Sequence, residues 1–335
     1  MLRVFKSIFG GSSVFAISVA VSAGANAGGN YTSFDPPGAT STQATAISLA
    51  GITGFYADGS FQYHCFLRTY DGTITTIDPA GATYCDPMAI NLGGTIVGTY
   101  IDLGGAQRGF MRTSDGTISM IVDPGAQSTV ATAINVHDWV AGYTNDGTTT
   151  HAFLKKRYQG MVSFDPAGST RTTTAAINSK GLVIGAYRDN SNVSHGFVRA
   201  KDGTITSFDP PGSTWTVPTA INNNGVIVGS YDDASSNTHG FIRAADGSFT
   251  TFDPSGSNYT VPVSINNSGT VDGYYTDSNN NYYYGFRRTS AGAIARINYP
   301  HSTGTYLSAA TGTAMTGYYY DAGNVEHGFL RGIVP

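Results

Sequence analysis

Glutamate is nearly missing from these 335 residues: Glu326 is the sole one, and five lysines stand against 43 glycines. Glu and Lys are surface residues that helices favour, while each interior Gly costs a helix about 1 kcal/mol relative to Ala. A helical fold is thereby excluded and an all-β fold is left. Charge is scarce too, at 12% of residues with a net of −4, and no basic stripe occurs, so nucleic acid is excluded as a partner. There is no Gly-x-Ser-x-Gly elbow, His-Glu-x-x-His helix or phosphate loop, which removes familiar hydrolase, zinc-protease and nucleotide-binding signatures. No cofactor is implied.

Long apolar runs are also lacking. Val14 to Ala23 is too short for the roughly 20 residues that cross a bilayer. Arg3 and Lys6 precede it and Ala25-Asn26-Ala27 follows, which is the basic, apolar, small-residue order of a secretory signal peptide. Residues 1–27 are therefore expected to be cleaved near Ala27, leaving 28–335 as a single domain of net charge −6. No Cys stands directly after the cleavage site and no apolar tail precedes Pro335, so neither a lipid anchor nor a membrane span is expected. A secreted or periplasmic protein is expected, and a monomer.

What is present in abundance is repetition. Ser163 to Arg199 reads SFDPAGSTRTTTAAINSKGLVIGAYRDNSNVSHGFVR, and Ser207 to Arg243 reads SFDPPGSTWTVPTAINNNGVIVGSYDDASSNTHGFIR. Three landmarks recur seven times each. Asp35, Asp78, Asp123, Asp165, Asp209, Asp253 and a degenerate Asn298 are spaced by 42 to 45 residues. Gly54, Gly98, Gly142, Gly185, Gly229, Gly273 and Gly317 each precede a Tyr by one or two positions. Phe66, Phe110, Phe153, Phe197, Phe241, Phe286 and Phe329 mostly follow His-Gly or a variant of it.

Within a unit, β-branched and aromatic runs separated by turn residues predict four short strands. In the fourth unit they fall near 174–178, 182–187, 195–200 and 204–209, with Asp202-Gly203 as a hairpin signal. Asp165-Pro166-Ala167-Gly168 suits a type I turn leading to the next unit. Four-stranded antiparallel units with a period near 44 suit a β-propeller. The last unit lacks a fourth strand, while the segment at about 31–35 is a fourth strand with nothing before it. Pairing the two closes a seven-bladed ring and hides its edges.

The polar residues that recur lie at one rim. Asp58, His64 and Asp78 form one predicted trio, Asp189, His195 and Asp209 a second, Asp233, His239 and Asp253 a third. Such a row can serve acid/base chemistry or a metal. Its recurrence instead points to a structural network that satisfies each blade's rim. Arg108 and Tyr284 replace His in two units, and the histidines sit two strand spacings from the axis, so no metal site is expected. The Asp-Pro-x-Gly turn offers one carboxylate where calcium needs six to eight oxygens.

Function is sought where the units differ. Six residues after the turn Asp stand Ser41, Tyr84, Thr129, Arg171, Trp215 and Tyr259, with Tyr306 in a similar place. Tyr84, Arg171, Trp215, Tyr259 and Tyr306 are the candidate ligand-binding residues, since aromatic faces and one Arg suit sugar rings or a peptide. They equally suit packing at blade junctions. Asp138, Asp232 and Asp272 fall outside the repeat pattern without an evident pairing, and Tyr282-Tyr283-Tyr284 reads as an exposed aromatic patch. Cys65 and Cys85 are a candidate disulfide that export permits. Their expected placement, on the third strand of one blade and the start of the innermost strand of the next, argues for a separation beyond the ~7 Å limit.

His151-Ala152-Phe153, with His-Gly-Phe and His-Cys-Phe at the same place in other units, resembles the HAF-type extracellular repeat family. The resemblance spans all seven units. It implies a secreted bacterial propeller and supplies no catalytic residues. A non-enzymatic propeller that binds a glycan or an extracellular protein at the channel mouth is the first expectation. A hydrolase or lyase acting on a polysaccharide or peptide-derived metabolite is the second, and a cell-surface scaffold the third.

Overall fold

The computed structural model describes residues 30–278, 282–312 and 314–332. The expected signal peptide, 1–27, lies outside them. The described residues form strands and turns without a helix, and none of their elements is a helix long and apolar enough to cross a membrane.

Each sequence repeat folds as four antiparallel strands. In the fourth unit these are Arg171–Ile177, Val183–Arg188, Ser194–Arg199 and Ile205–Phe208. The landmark Gly and Phe are cross-strand partners, as Gly185 with Phe197 and Gly229 with Phe241. All seven landmark phenylalanines are fully buried. A Cβ on Gly185 would sit 2.0 Å from the Thr173 carbonyl and 2.8 Å from the Phe197 ring. The Gly-then-Phe rhythm thus records one packing constraint: the ring lies over the second strand where only a hydrogen atom fits. A bulge in the first strand, between Thr174 and Ala176 here, stands at the same level.

Neighbouring units pack by repeated contacts. Phe208 of the fourth unit meets Phe241 of the fifth edge to face at 6.2 Å, with the Arg243 guanidinium 4.9 Å from the Phe208 ring. The same trio recurs as Phe164, Phe197 and Arg199. Asparagines tie the turns: Asn178 Nδ2 donates to the Asn222 carbonyl at 3.0 Å, and Asn91, Asn135 and Asn222 each donate likewise to the next unit. Each Oδ1 accepts from its own turn, as from Lys180 and Leu182 N–H at Asn178.

The first strands touch in succession from Ala39–Ser48 to Gly304–Thr311, and these two touch each other. Tyr31–Phe34 pairs antiparallel with Glu326–Arg331, Tyr31 opposite Arg331. Backbone strand pairing between successive units is slight. Two pairs of units join through one parallel bridge each, Thr150 with Arg171 and Thr238 with Tyr259.

Two local expectations are corrected. The turn after the fourth strand begins on Pro166, whose carbonyl accepts from Ser169 N–H, and places Gly168 third at φ +77°. A positive φ at the third position is the signature of a type II turn, not type I. The cysteines are joined, with Cα atoms 5.2 Å apart. The expectation of a wide separation overlooked how units pack: the first strand of one crosses the third strand of its predecessor. Six units place Thr at this crossing on the first strand, such as Thr216 and Thr260, where the second unit has Cys85. Cys65 likewise stands where five units have Gly, and a Cβ on Gly240 would lie 3.1 Å from Thr260 Cγ2.

Candidate functional site

The rim residues assemble the same way in several units. His64 Nδ1 lies 2.6 Å from Asp78 Oδ2, and its Nε2 lies 3.5 Å from Asp58 Oδ2. His195 meets Asp209 at 2.7 Å and Asp189 at 3.5 Å; His239 meets Asp253 at 2.7 Å and Asp233 at 3.3 Å. His151 with Asp165, and His327 with Asp35 and Asp321, repeat the arrangement. The last case joins opposite ends of the sequence. The Asp before each His also accepts two backbone N–H bonds within its turn, as Asp233 does from Ser235 and Asn237. These bonds hold the Asp233 carboxyl down to about 2. Partial burial opposes the charged ring of His239, yet its bonds to Asp253 and Asp233 outweigh this and raise its pKa. In the second unit Arg108 reaches Asp102 at 3.2 Å instead.

The predicted ligand residues divide between two places. Arg171 and Trp215 line a shallow cleft with Arg188, whose guanidinium lies 4.9 Å from the Trp215 ring. Tyr84 and Tyr306 line a different cavity, of about 240 Å³, together with Gln43, Phe55, Asp86, Tyr274 and Tyr318. Tyr259 stands behind it, 6.5 Å from Tyr274 between ring centres. Tyr306 stacks on Tyr318 at 4.7 Å and on Tyr283 at 4.4 Å.

The slot counted from the turn Asp slips twice. The turn at Asp123 is one residue shorter, its carbonyl accepting directly from Ala126 N–H, so Thr129 falls in the buried row and Ser128 at the level of Tyr84. Tyr306 sits one pleat deeper than Tyr84, at the level of Asp86, and Gly304 occupies the counted place. The Tyr282–Tyr284 patch is not exposed either. Tyr284 is buried with the Arg296 guanidinium 3.2 Å from its ring centre, and Tyr283 belongs to the stack on Tyr306.

Asp86 is the site residue that counting from the turn did not find. It stands on the second unit's first strand, opposite Thr99, at a level where other units have Gln43, Thr173, Val217 or Tyr306. It is 8% exposed. Burial pushes its carboxyl up to about 7, because taking a charge from water without a partner favours the neutral acid. Such a group can exchange a proton near neutrality or balance a bound cation. Asp138, Asp232 and Asp272 do not line this cavity. They are engaged elsewhere, with Arg157 at 3.2 Å, Thr238 at 2.6 Å and Arg287 at 2.8 Å. Among the described residues, the one group of three His, Cys, Asp or Glu side chains close enough to share an ion is Cys65, Asp78 and Cys85, whose sulfurs are already joined.

No family model matches the chain, and no curated protein matches it in sequence. Solved structures do match. The β-propeller domain of the Trilobed protease from Pyrococcus furiosus superposes with a TM-score of 0.61 at 11% identity, over 89% of this chain and 98% of that one. The fold is a β-propeller. Puromycin hydrolase matches at a TM-score of 0.59 and 10% identity over 86% of this chain, which spans about half of that protein, 52%. The BP39L lectin from Burkholderia pseudomallei matches at 0.55 and 13% identity, over 87% and 96% of the two chains. A protease domain, a hydrolase and a lectin share the propeller, so the fold alone selects no activity.

The sequence held a usable signal for Asp86. The second unit reads Tyr84-Cys85-Asp86-Pro87 where the fifth reads Trp215-Thr216-Val217-Pro218. Aligned on Pro rather than on the turn, Asp86 is a carboxylate at a place that is otherwise neutral. Pro87 and Pro218 both stand opposite a landmark glycine.

Proposed function

We propose that this chain is a secreted, non-enzymatic binding propeller of seven blades, whose channel mouth receives a small ligand. The observation that carries the reading is the cavity shared by Gln43, Asp86, Tyr84, Phe55, Tyr274, Tyr306 and Tyr318. Stacking faces with a few converging polar groups are the general make-up of a small-molecule site. At about 240 Å³ it suits a single ring or headgroup, such as one glycan residue or one side chain of an extracellular protein. Ring closure is supported by the pairing of Tyr31–Phe34 with Glu326–Arg331 and by the contact of the first and seventh units' first strands. The His–Asp rows act as strand ties in this reading, and the leader directs export.

A hydrolase or lyase reading has one observation in its favour, the carboxyl of Asp86 poised near neutrality. A lone carboxyl, with no second carboxyl among the described residues that line the cavity, lacks the pair that glycoside cleavage uses. The test is binding of the mature protein to a panel of mono- and disaccharides and small charged headgroups, compared with a Tyr84→Leu variant. Binding that the variant loses supports the reading. Unchanged binding by the variant, or product formation from any panel member, overturns it.

A further inference from the structure

Resting on the reading of the channel mouth as a small-ligand site, we propose that its ligand carries an organic cation, of the alkylammonium class, held between Asp86 and the surrounding aromatic rings. Three observations converge. Asp86 is a buried carboxylate lining the cavity, and among the described residues no side chain pairs with it and no hydrogen bond reaches its oxygens. Burying such a charge is costly unless it is paired, so the group that suits this carboxylate is positive.

The rest of the lining is the second observation. Phe55, Tyr84, Tyr274, Tyr306 and Tyr318 present rings to the same cavity, and aromatic faces attract a cation stripped of water, the arrangement by which quaternary ammonium groups are held. Tyr63 packs against Tyr84 at 5.3 Å, and Tyr274 against Tyr306 at 5.4 Å, so the rings are braced by one another. The third is the company of other charges. Glu326 is occupied by Gln43 Nε2 at 2.9 Å and Tyr320 hydroxyl at 2.5 Å, leaving Asp86 as the carboxylate for a ligand. The arginines Arg171 and Arg188 line the separate cleft.

A neutral sugar would leave the carboxylate unbalanced, and an anion would meet it directly. An alkylammonium group satisfies both the charge and the rings. Its binding stabilises the ionised form of Asp86, so affinity rises with pH through the range where this carboxyl loses its proton. The other ionisable groups facing it are Tyr84 on its own strand, Tyr143 from the next blade, and Tyr274, Tyr306 and Tyr318 in the same cavity, and burial raises each above its usual value. They remain neutral through that range.

The experiment is calorimetric titration of the mature protein with choline, with its uncharged isostere 3,3-dimethylbutan-1-ol, and with methyl glucoside. The parent and an Asp86→Asn variant, checked for folding by its melting curve, are compared at pH 5.5 and 8. The expected result is choline binding at least tenfold tighter than the isostere, a tenfold or greater loss in the variant, and tighter binding at pH 8 in the parent alone. Equal binding of choline and its isostere, or an unaltered choline affinity in the variant, overturns the cation. Binding of methyl glucoside alone overturns it too while leaving the channel-mouth site standing. Binding of none of the three, with no hit in the wider panel, overturns both.

Discussion

At the rim the chain repeats itself, with His–Asp bonds of 2.6 or 2.7 Å in five units, whereas equivalent first-strand places hold Gln43, Asp86, Val130, Thr173, Val217, Val261 and Tyr306. A position that every unit fills alike answers a need that every unit has, which is packing and strand pairing. A position that takes five residue types among the units is released from that need. The two regions differ in polarity of another kind as well. The rim carboxylates are exposed and satisfied by N–H groups and His, whereas the Asp86 carboxyl is buried and unmatched, which pushes its pKa up to about 7.

The comparison breaks most severely at a repeat landmark. Phe197→Ala should cost ~3–5 kcal/mol, the range for a fully buried aromatic ring, in urea unfolding. A loss below about 1 kcal/mol would mean that the Gly–Phe pairing is not what the repeats encode. Asp86→Asn should act in the opposite direction. The folded carboxyl titrates well above its unfolded value, so its ionisation penalises the native state progressively from about pH 4 to about pH 7, on the order of 4 kcal/mol in all. The variant's stability relative to the parent should therefore rise across that interval and level off above it, as followed by urea midpoints at each pH. A flat difference would place Asp86 in a better solvated setting than the cavity provides.

The disulfide offers a finer comparison between a departure from the repeat and the repeat itself. Closing a loop of 20 residues is worth roughly 3 kcal/mol through the unfolded chain. Replacing both cysteines by serine should lose most of this. Writing in the repeat's own pair, Cys65→Gly with Cys85→Thr, should lose less, because Gly and Thr fit this crossing elsewhere. Equal losses would show that the crossing is not equivalent between units.

The smallest expected effect is at the rim. His64, His195, His239 and His327 have raised values in the fold, so their contribution is full below about pH 6.5 and fades as pH rises through the folded values. Asp58, Asp189, Asp233 and Asp321 are lowered, so theirs is present above about pH 4 and fades as pH falls. The net rim contribution peaks between these limits. His239→Gln should flatten that part of the pH–stability curve and leave ligand binding untouched.

The strands of the fourth unit were legible to within a few residues, because burial of one face and the turn residues leave a strong local pattern. The relation between units was less so. Nothing local in Cys65 or Cys85 says that the first strand of one unit crosses the third of its predecessor. That geometry is legible only by noticing that Gly and Thr alternate with the two cysteines at equivalent places. Asp86 escaped because it stands two residues beyond the slot counted from the turn, in a unit whose turn has the usual length. A one-residue change in turn length, as at Asp123, shifts a count made from the turn, while the bulge and the landmark glycine fix the true register. Trp215 and Arg171 stand at a place that varies between units, and the structure puts them in another cleft from Tyr84 and Tyr306.

The division between a structural rim and a functional channel is tested most directly by NMR of protein labelled in its tyrosine rings, titrated with choline and with methyl glucoside. The account predicts that a binding ligand moves the signals of Tyr84, Tyr274, Tyr306 and Tyr318 and leaves those of Tyr56, Tyr187 and Tyr231, which lie beside the rim histidines at 5.1 to 5.2 Å, in place. Movement of the rim tyrosines with the channel set unchanged would contradict it.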